Sequence, residues 1–171
     1  MGEQQIELIF CKSEAWMPLT PLHLAAGLPA RKYISMKAFI LVNILIDVEP
    51  GLTMFFGMDK LGYPLHQGVH SFGGATLMAC VTMLLGLPYK DKYQQWLKGA
   101  FFGAYSHILL DALVHSDVTP FGPFTQGNPL FLDIHAEISI FCAVILTYYL
   151  AKWVESLRIS ERWAAARKRE K

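Results

Sequence analysis

Charge and cysteine are what this chain has little of. Only 17% of its 171 residues are charged and 53% are hydrophobic, whereas a soluble domain carries roughly 25% charged residues. Its three cysteines, Cys11, Cys80 and Cys142, are widely spaced and form no Cys-x-x-Cys pair, which excludes a disulfide framework and a thiolate metal site. Cys80 and Cys142 lie inside apolar runs, where a thiol behaves as a small hydrophobe. The N-terminal stretch carries Glu3, Glu7 and Glu14 with no basic segment leading into an apolar core, so no secretory signal is expected there. No Gly-x-Ser-x-Gly elbow, P-loop or other nucleotide signature occurs, which removes those routes to chemistry. The basic tail is short and has no aromatic–basic face beside it; nucleic acid is therefore not an expected partner.

What the chain does have is four apolar stretches, at 35–56, 72–88, 98–115 and 136–154. Each approaches the ~20 residues that cross a ~30 Å hydrocarbon core, the second being the shortest. Gly73-Gly74 and Gly99/Gly103 supply the small surfaces on which membrane helices approach closely. Basic residues alternate between the connecting segments. Lys12, Arg31, Lys32 and Lys37 precede or open the first stretch, and Lys90, Lys92 and Lys98 lie between the second and third. The 57–71 loop has Lys60 alone, and 116–135 has no Lys or Arg. Lys152 lies at the end of the fourth, and Arg158, Arg162, Arg167, Lys168, Arg169 and Lys171 follow it. That pattern predicts four spans with both termini cytoplasmic. The expected fold is all-α, a polytopic membrane helical bundle. It comprises an N-terminal extension (1–16), a membrane-embedded metal-binding domain (17–155) and a basic, amphipathic cytoplasmic tail (156–171).

Ionisable groups interrupt this apolar background. His107, Asp111 and His115 recur every four residues, which places them on one face of a continuing helix. His66 and His70 repeat the interval before the second span, and Asp47 and Glu49 lie beside Pro50-Gly51 near the end of the first. Asp117, Asp133 and His135 fall near the same membrane boundary. The charge-derived topology thus collects five of the six histidines at the non-cytoplasmic side. Imidazole and carboxylate are ligands for zinc, manganese or iron, and ionisable groups at membrane depth signal function. So many ligands predict one or two divalent ions, zinc first, with manganese or iron as alternatives, in a site suited to phosphoester hydrolysis. His23, in PLTPLHLAAGLP before Arg31-Lys32, either stands apart on the cytoplasmic side or joins the site on a short re-entrant helix.

The stretches MPLTPLHLAAGLP, IDVEP, LHQGVHS and SHILLDALVHSDVTPFGP together resemble the bacterial membrane-bound metal-dependent hydrolase family, small multi-span inner-membrane proteins. The resemblance covers about 17–130 and carries over to His23, Asp47, Glu49, His66, His70, Ser71, His107 and Asp111. It favours the re-entrant arrangement for His23. One departure is Asp47-Val48-Glu49, where the family often has Asp-x-Asp; the longer Glu49 then reaches the ion differently or moves the proton.

These lines converge on an expectation of an inner-membrane hydrolase with metal ligands His23, Asp47, His66, His70, His107, Asp111 and His115. Glu49 or Asp117 would serve in proton transfer, and a lipid or lipid-linked ester is the expected substrate at headgroup level. The rival class is a metal transporter or sensor, which needs polar groups continuing toward the cytoplasmic half. A haem protein would not call for Asp111 between two histidines, and a soluble all-α fold would need no detergent.

Overall fold

The computed structural model describes residues 21–56 and 68–169. They form an all-α arrangement, with no strand among the described residues. Five α-helices follow in order: α1 (Pro21–Gly27), α2 (Met36–Phe56), α3 (Phe72–Leu85), α4 (Tyr93–Val114) and α5 (His135–Arg169), with a 3₁₀ turn at Lys90–Lys92 before α4. The bundle is centred on α4, which packs against both α2 and α3.

Small residues set how closely those helices approach. The shared core is Ala38, Val42 and Ile46 of α2, Ala75 and Ala79 of α3, and Trp96, Ala100, Ala104 and Ile108 of α4. Gly99 and Gly103 of α4 face α2 so closely that a Cβ at Gly103 would lie 2.6 Å from Val42 Cγ1 and 3.1 Å from the Phe39 carbonyl oxygen. This is the close backbone approach that small-xxx-small spacing permits. At the opposite end from His107, the Trp96 indole N–H donates to the Thr82 carbonyl at 2.7 Å and its ring stacks on Tyr89. That contact anchors the turn from α3 into α4.

Helix α3 starts at a built cap. Ser71 has extended backbone, and its hydroxyl accepts from the Gly74 N–H at 3.0 Å while donating to the Gly68 carbonyl at 2.8 Å. This satisfies one of the donors that a helix N-terminus leaves open. Gly74 leaves no room for a side chain, since a Cβ there would press on the backbone of Val69 at 2.7 Å. The turn carrying His70 is fixed as a result.

The loop after α4 is tied down at both ends. Phe72 N–H donates to the Pro120 carbonyl at 2.8 Å. The Asn128 amide donates to the carbonyls of Ala112 (2.6 Å) and His115 (2.7 Å), capping carbonyls that the end of α4 leaves unpaired.

One helix is long and apolar enough to cross a membrane, the His135–Ile159 stretch of α5, and almost none of its surface is buried against the rest of the chain. Expected spans one to three differ from this in instructive ways. Apolar α3 has 14 residues, about 21 Å at 1.5 Å per residue, and Gly86, Leu87 and Pro88 follow its end. Helices α2 and α4 have the length, at 21 and 22 residues, but Asn43, Asp47, His107 and Asp111 lie within them. The expected fourth span and the expected cytoplasmic tail lie on one helix. Helix α5 runs unbroken for 35 residues through the 155/156 boundary.

Candidate metal centre

Five side chains from four elements meet at the non-core end of the α2–α4 pair: His23 from α1, Asp47 from α2, His70 from the turn before α3, and His107 and Asp111 from α4. His107 is fully buried, and His23, His70 and Asp111 are buried with it. All three imidazoles present Nε2 to the carboxylates. His23 Nε2 lies 3.0 Å from Asp111 Oδ1. His107 Nε2 lies 3.1 Å from Asp111 Oδ2 and 3.3 Å from Asp47 Oδ1. His70 Nε2 lies 3.6 Å from Asp111 Oδ2 and 3.9 Å from Asp47 Oδ1. The ring of His23 stacks on that of His107 at 4.1 Å, with 8° between the planes.

Those separations suit ligands of one ion. Two donors each about 2.0–2.1 Å from a tetrahedral zinc lie roughly 3.3–3.4 Å apart. Among the described residues two triplets have donor atoms within 4.8 Å of one another, His23/His107/Asp111 and Asp47/His70/His107. A neutral imidazole nitrogen has one lone pair, so His107 serves one ion. The described donors therefore complete one site, and a second ion would share the two oxygens of Asp111.

The protonation of His107 is set from behind. The Asn43 side-chain N–H₂ donates to the Phe39 carbonyl at 2.7 Å, which fixes the amide and turns Oδ1 toward the ring. That oxygen lies 2.8 Å from His107 Nδ1, and an amide oxygen can only accept. Nδ1 therefore carries the hydrogen, and the neutral ring's lone pair sits on Nε2. Although two carboxylate oxygens lie within 3.3 Å of Nε2, this buried nitrogen makes no hydrogen bond, because a lone pair has no hydrogen to give to a carboxylate. An orienting hydrogen bond on one ring nitrogen, with the other buried and facing carboxylates, is an arrangement that would let His107 ligate a metal. Charge points the same way. Buried Asp111 and half-buried Asp47 bring two negative charges, which a divalent cation among neutral histidines would cancel.

Helix α4 places His107 and Asp111 together because they are one turn apart, and α2 does the same for Asn43 and Asp47. His115 is not part of the grouping. Helix α4 ends at Val114, and His115 takes an extended conformation (φ −114°, ψ 117°). Its ring then leaves the helical face and meets His135 edge-on at 5.4 Å. Asp117 is exposed and lines a separate polar cleft. His66 lies outside the described residues, as does the side chain of Glu49. Sequence reasoning missed Asn43, although a carboxamide four residues before Asp47 in an apolar helix is itself a signal.

No protein-family description, curated protein or solved structure matches the chain significantly.

Proposed function

We propose that this chain is a polytopic membrane-bound metal-dependent hydrolase, related to the bacterial inner-membrane family that its motifs resemble. Its target would be an ester or phosphoester in a lipid or lipid-linked substrate. The observation that carries the reading is the buried, unbonded Nε2 of His107, held in its metal-binding tautomer by Asn43 among two further histidines and two aspartates.

His23, Asp47, His70, His107 and Asp111 would hold the ion. A divalent ion there supplies a Lewis acid and brings the pKa of a water toward ~7. The chain's own part is to fix three imidazoles and two carboxylates before the substrate arrives. Asp117, exposed beyond the α4 terminus, and Glu49 on α2 are the carboxylates left to move a proton. Membrane placement rests on α5 and on the alternation of basic loops. In that placement α2, α3 and α4 complete a four-span bundle, with α3 tilted or short of one face. Below the cluster the bundle is filled by the alanine, valine and isoleucine core. No polar path leads on through that core, which argues for a site of reaction over a route of transport.

Elemental analysis of the full chain, purified in detergent without chelators, tests this. Wild type should hold one to two transition-metal ions. His107→Ala and Asp111→Ala should lose them, while His115→Ala keeps them. Metal-free wild type sinks the reading and leaves the cluster as a set of ion pairs.

A further inference from the structure

Beside the cluster lies a cleft of about 790 Å³, within the ~300–1,000 Å³ range of small-molecule sites. One wall is the start of α3, and the other is the loop after α4. Gly68 and Ser71 of its wall flank His70, so the cleft and the candidate metal centre share one turn of backbone.

The cleft is kept open by missing side chains. A Cβ at Gly68 or Gly127 would meet nothing within 4 Å, and one at Gly73 would meet only the Ser71 hydroxyl at 3.7 Å. Gly127 also has φ +139°, where other residues are strained. The rest of the lining includes Ser71, Ser116, Thr119, Thr125 and Gln126, groups that both donate and accept hydrogen bonds.

Charge narrows the ligand. The start of α3 would by itself favour an anion. Yet among the described residues the lining contains no lysine, arginine or histidine, and its one charge is the carboxylate of Asp117, which repels an anion in the same space. A quaternary ammonium headgroup would call for an aromatic cage, and no aromatic residue lines the cleft among the described residues. What remains is an uncharged group rich in hydroxyls, for which Asp117 is a strong paired acceptor.

We propose that this cleft seats a neutral polyhydroxyl group, a sugar or glycerol, carried by the substrate of the adjacent centre. The assignment to a substrate rests on the hydrolase reading above. The loop of 116–127 is thereby a recognition wall, positioned by the Phe72–Pro120 and Asn128 hydrogen bonds.

Competitive binding to the detergent-purified, metal-loaded full chain decides it. Native mass spectrometry would follow four diacyl lipids at equal concentration: glucosyl-diacylglycerol, phosphatidylglycerol, phosphatidic acid and phosphatidylcholine. Retention of the first or second over the last two by about tenfold or more is expected, and which of the two leads tells sugar from glycerol. Gly73→Leu, which fills the cleft, should abolish the preference at unchanged metal content. Asp117→Asn should weaken the polyhydroxyl lipid and raise phosphatidic acid. Equal retention of all four, or preference for phosphatidic acid or phosphatidylcholine, overturns the proposal. Metal-replete protein without the preference removes the cleft's role and leaves the metal centre standing. Metal-free protein that keeps the preference does the reverse: the polyhydroxyl site stands and the hydrolase reading falls.

Discussion

Asn43→Leu is the substitution that separates a metal centre from a set of ion pairs. Leucine keeps the branched heavy-atom shape of asparagine, with methyl groups in place of the amide oxygen and nitrogen, and suits the apolar surroundings of α2, so the helix should survive. What goes is the 2.8 Å acceptor for His107 Nδ1–H and the 2.7 Å bond to Phe39. Both His107 and Asn43 are buried, at 0% and 6% exposure, so water cannot replace the lost acceptor. Leaving one buried N–H unpaired costs about 1–3 kcal/mol. His107 can avoid that cost by moving its hydrogen to Nε2, where the two carboxylates lie, but then its lone pair faces leucine. Removing such an outer hydrogen bond lowers metal affinity by roughly 10–100-fold, or about 1.4–2.7 kcal/mol. A chromogenic-chelator competition in detergent reads the affinity, and thermal unfolding with and without chelator reads the stability. Leucine should shrink the gap between metal-loaded and chelated midpoints. Unchanged affinity beside a lowered midpoint would refute the tautomer argument, because Asn43 would then matter only for packing.

Two further outcomes follow from the fold. Gly103→Ala introduces a Cβ 2.6 Å from Val42 Cγ1; α4 must shift from α2, costing about 1–3 kcal/mol, with metal lost as Asn43 and His107 part. An alanine variant with wild-type unfolding midpoint and metal content would show that the two helices do not depend on that approach. Alkaline carbonate washing should leave the chain in the membrane pellet, as expected of a protein with an outward-facing apolar α5; release into the supernatant would rule out a spanning helix.

The all-α character and the pairing of His107 with Asp111 were legible in the sequence because apolar runs and a four-residue interval translate directly into a helix with one polar face. His70 was legible for the same reason, standing at the threshold of α3. His115 was not, since the interval continues but the helix does not. Its end has no glycine or proline to mark it before Pro120, and the cap comes instead from Asn128 across the loop. His23 meets Asp111 across 88 residues, a distance that no local period encodes; only the resemblance drew it in. Of the four spans read from run length and loop charge, the last stands out among the described helices as long and apolar enough to cross a membrane. Helix α3 is apolar but short, while α2 and α4 are long but interrupted by the residues that build the site.

That contact between His23 and Asp111 makes the centre a clasp as well as a site. Bringing points 88 residues apart together costs the chain an entropy worth on the order of 4 kcal/mol by the (3/2)RT ln n relation. An ion held there would offset that cost through the bonds it makes, and so favour the closed chain over the open one. Helix α1, at seven residues, is too short to be stable alone, and it is the element fastened by the first-made end of the clasp. During synthesis that end must wait until Asp111 has emerged, so an ion would be captured late, when most of the bundle exists. Without an ion the assembly should come undone at α1 first, and this first described helix would then gauge whether the centre is filled.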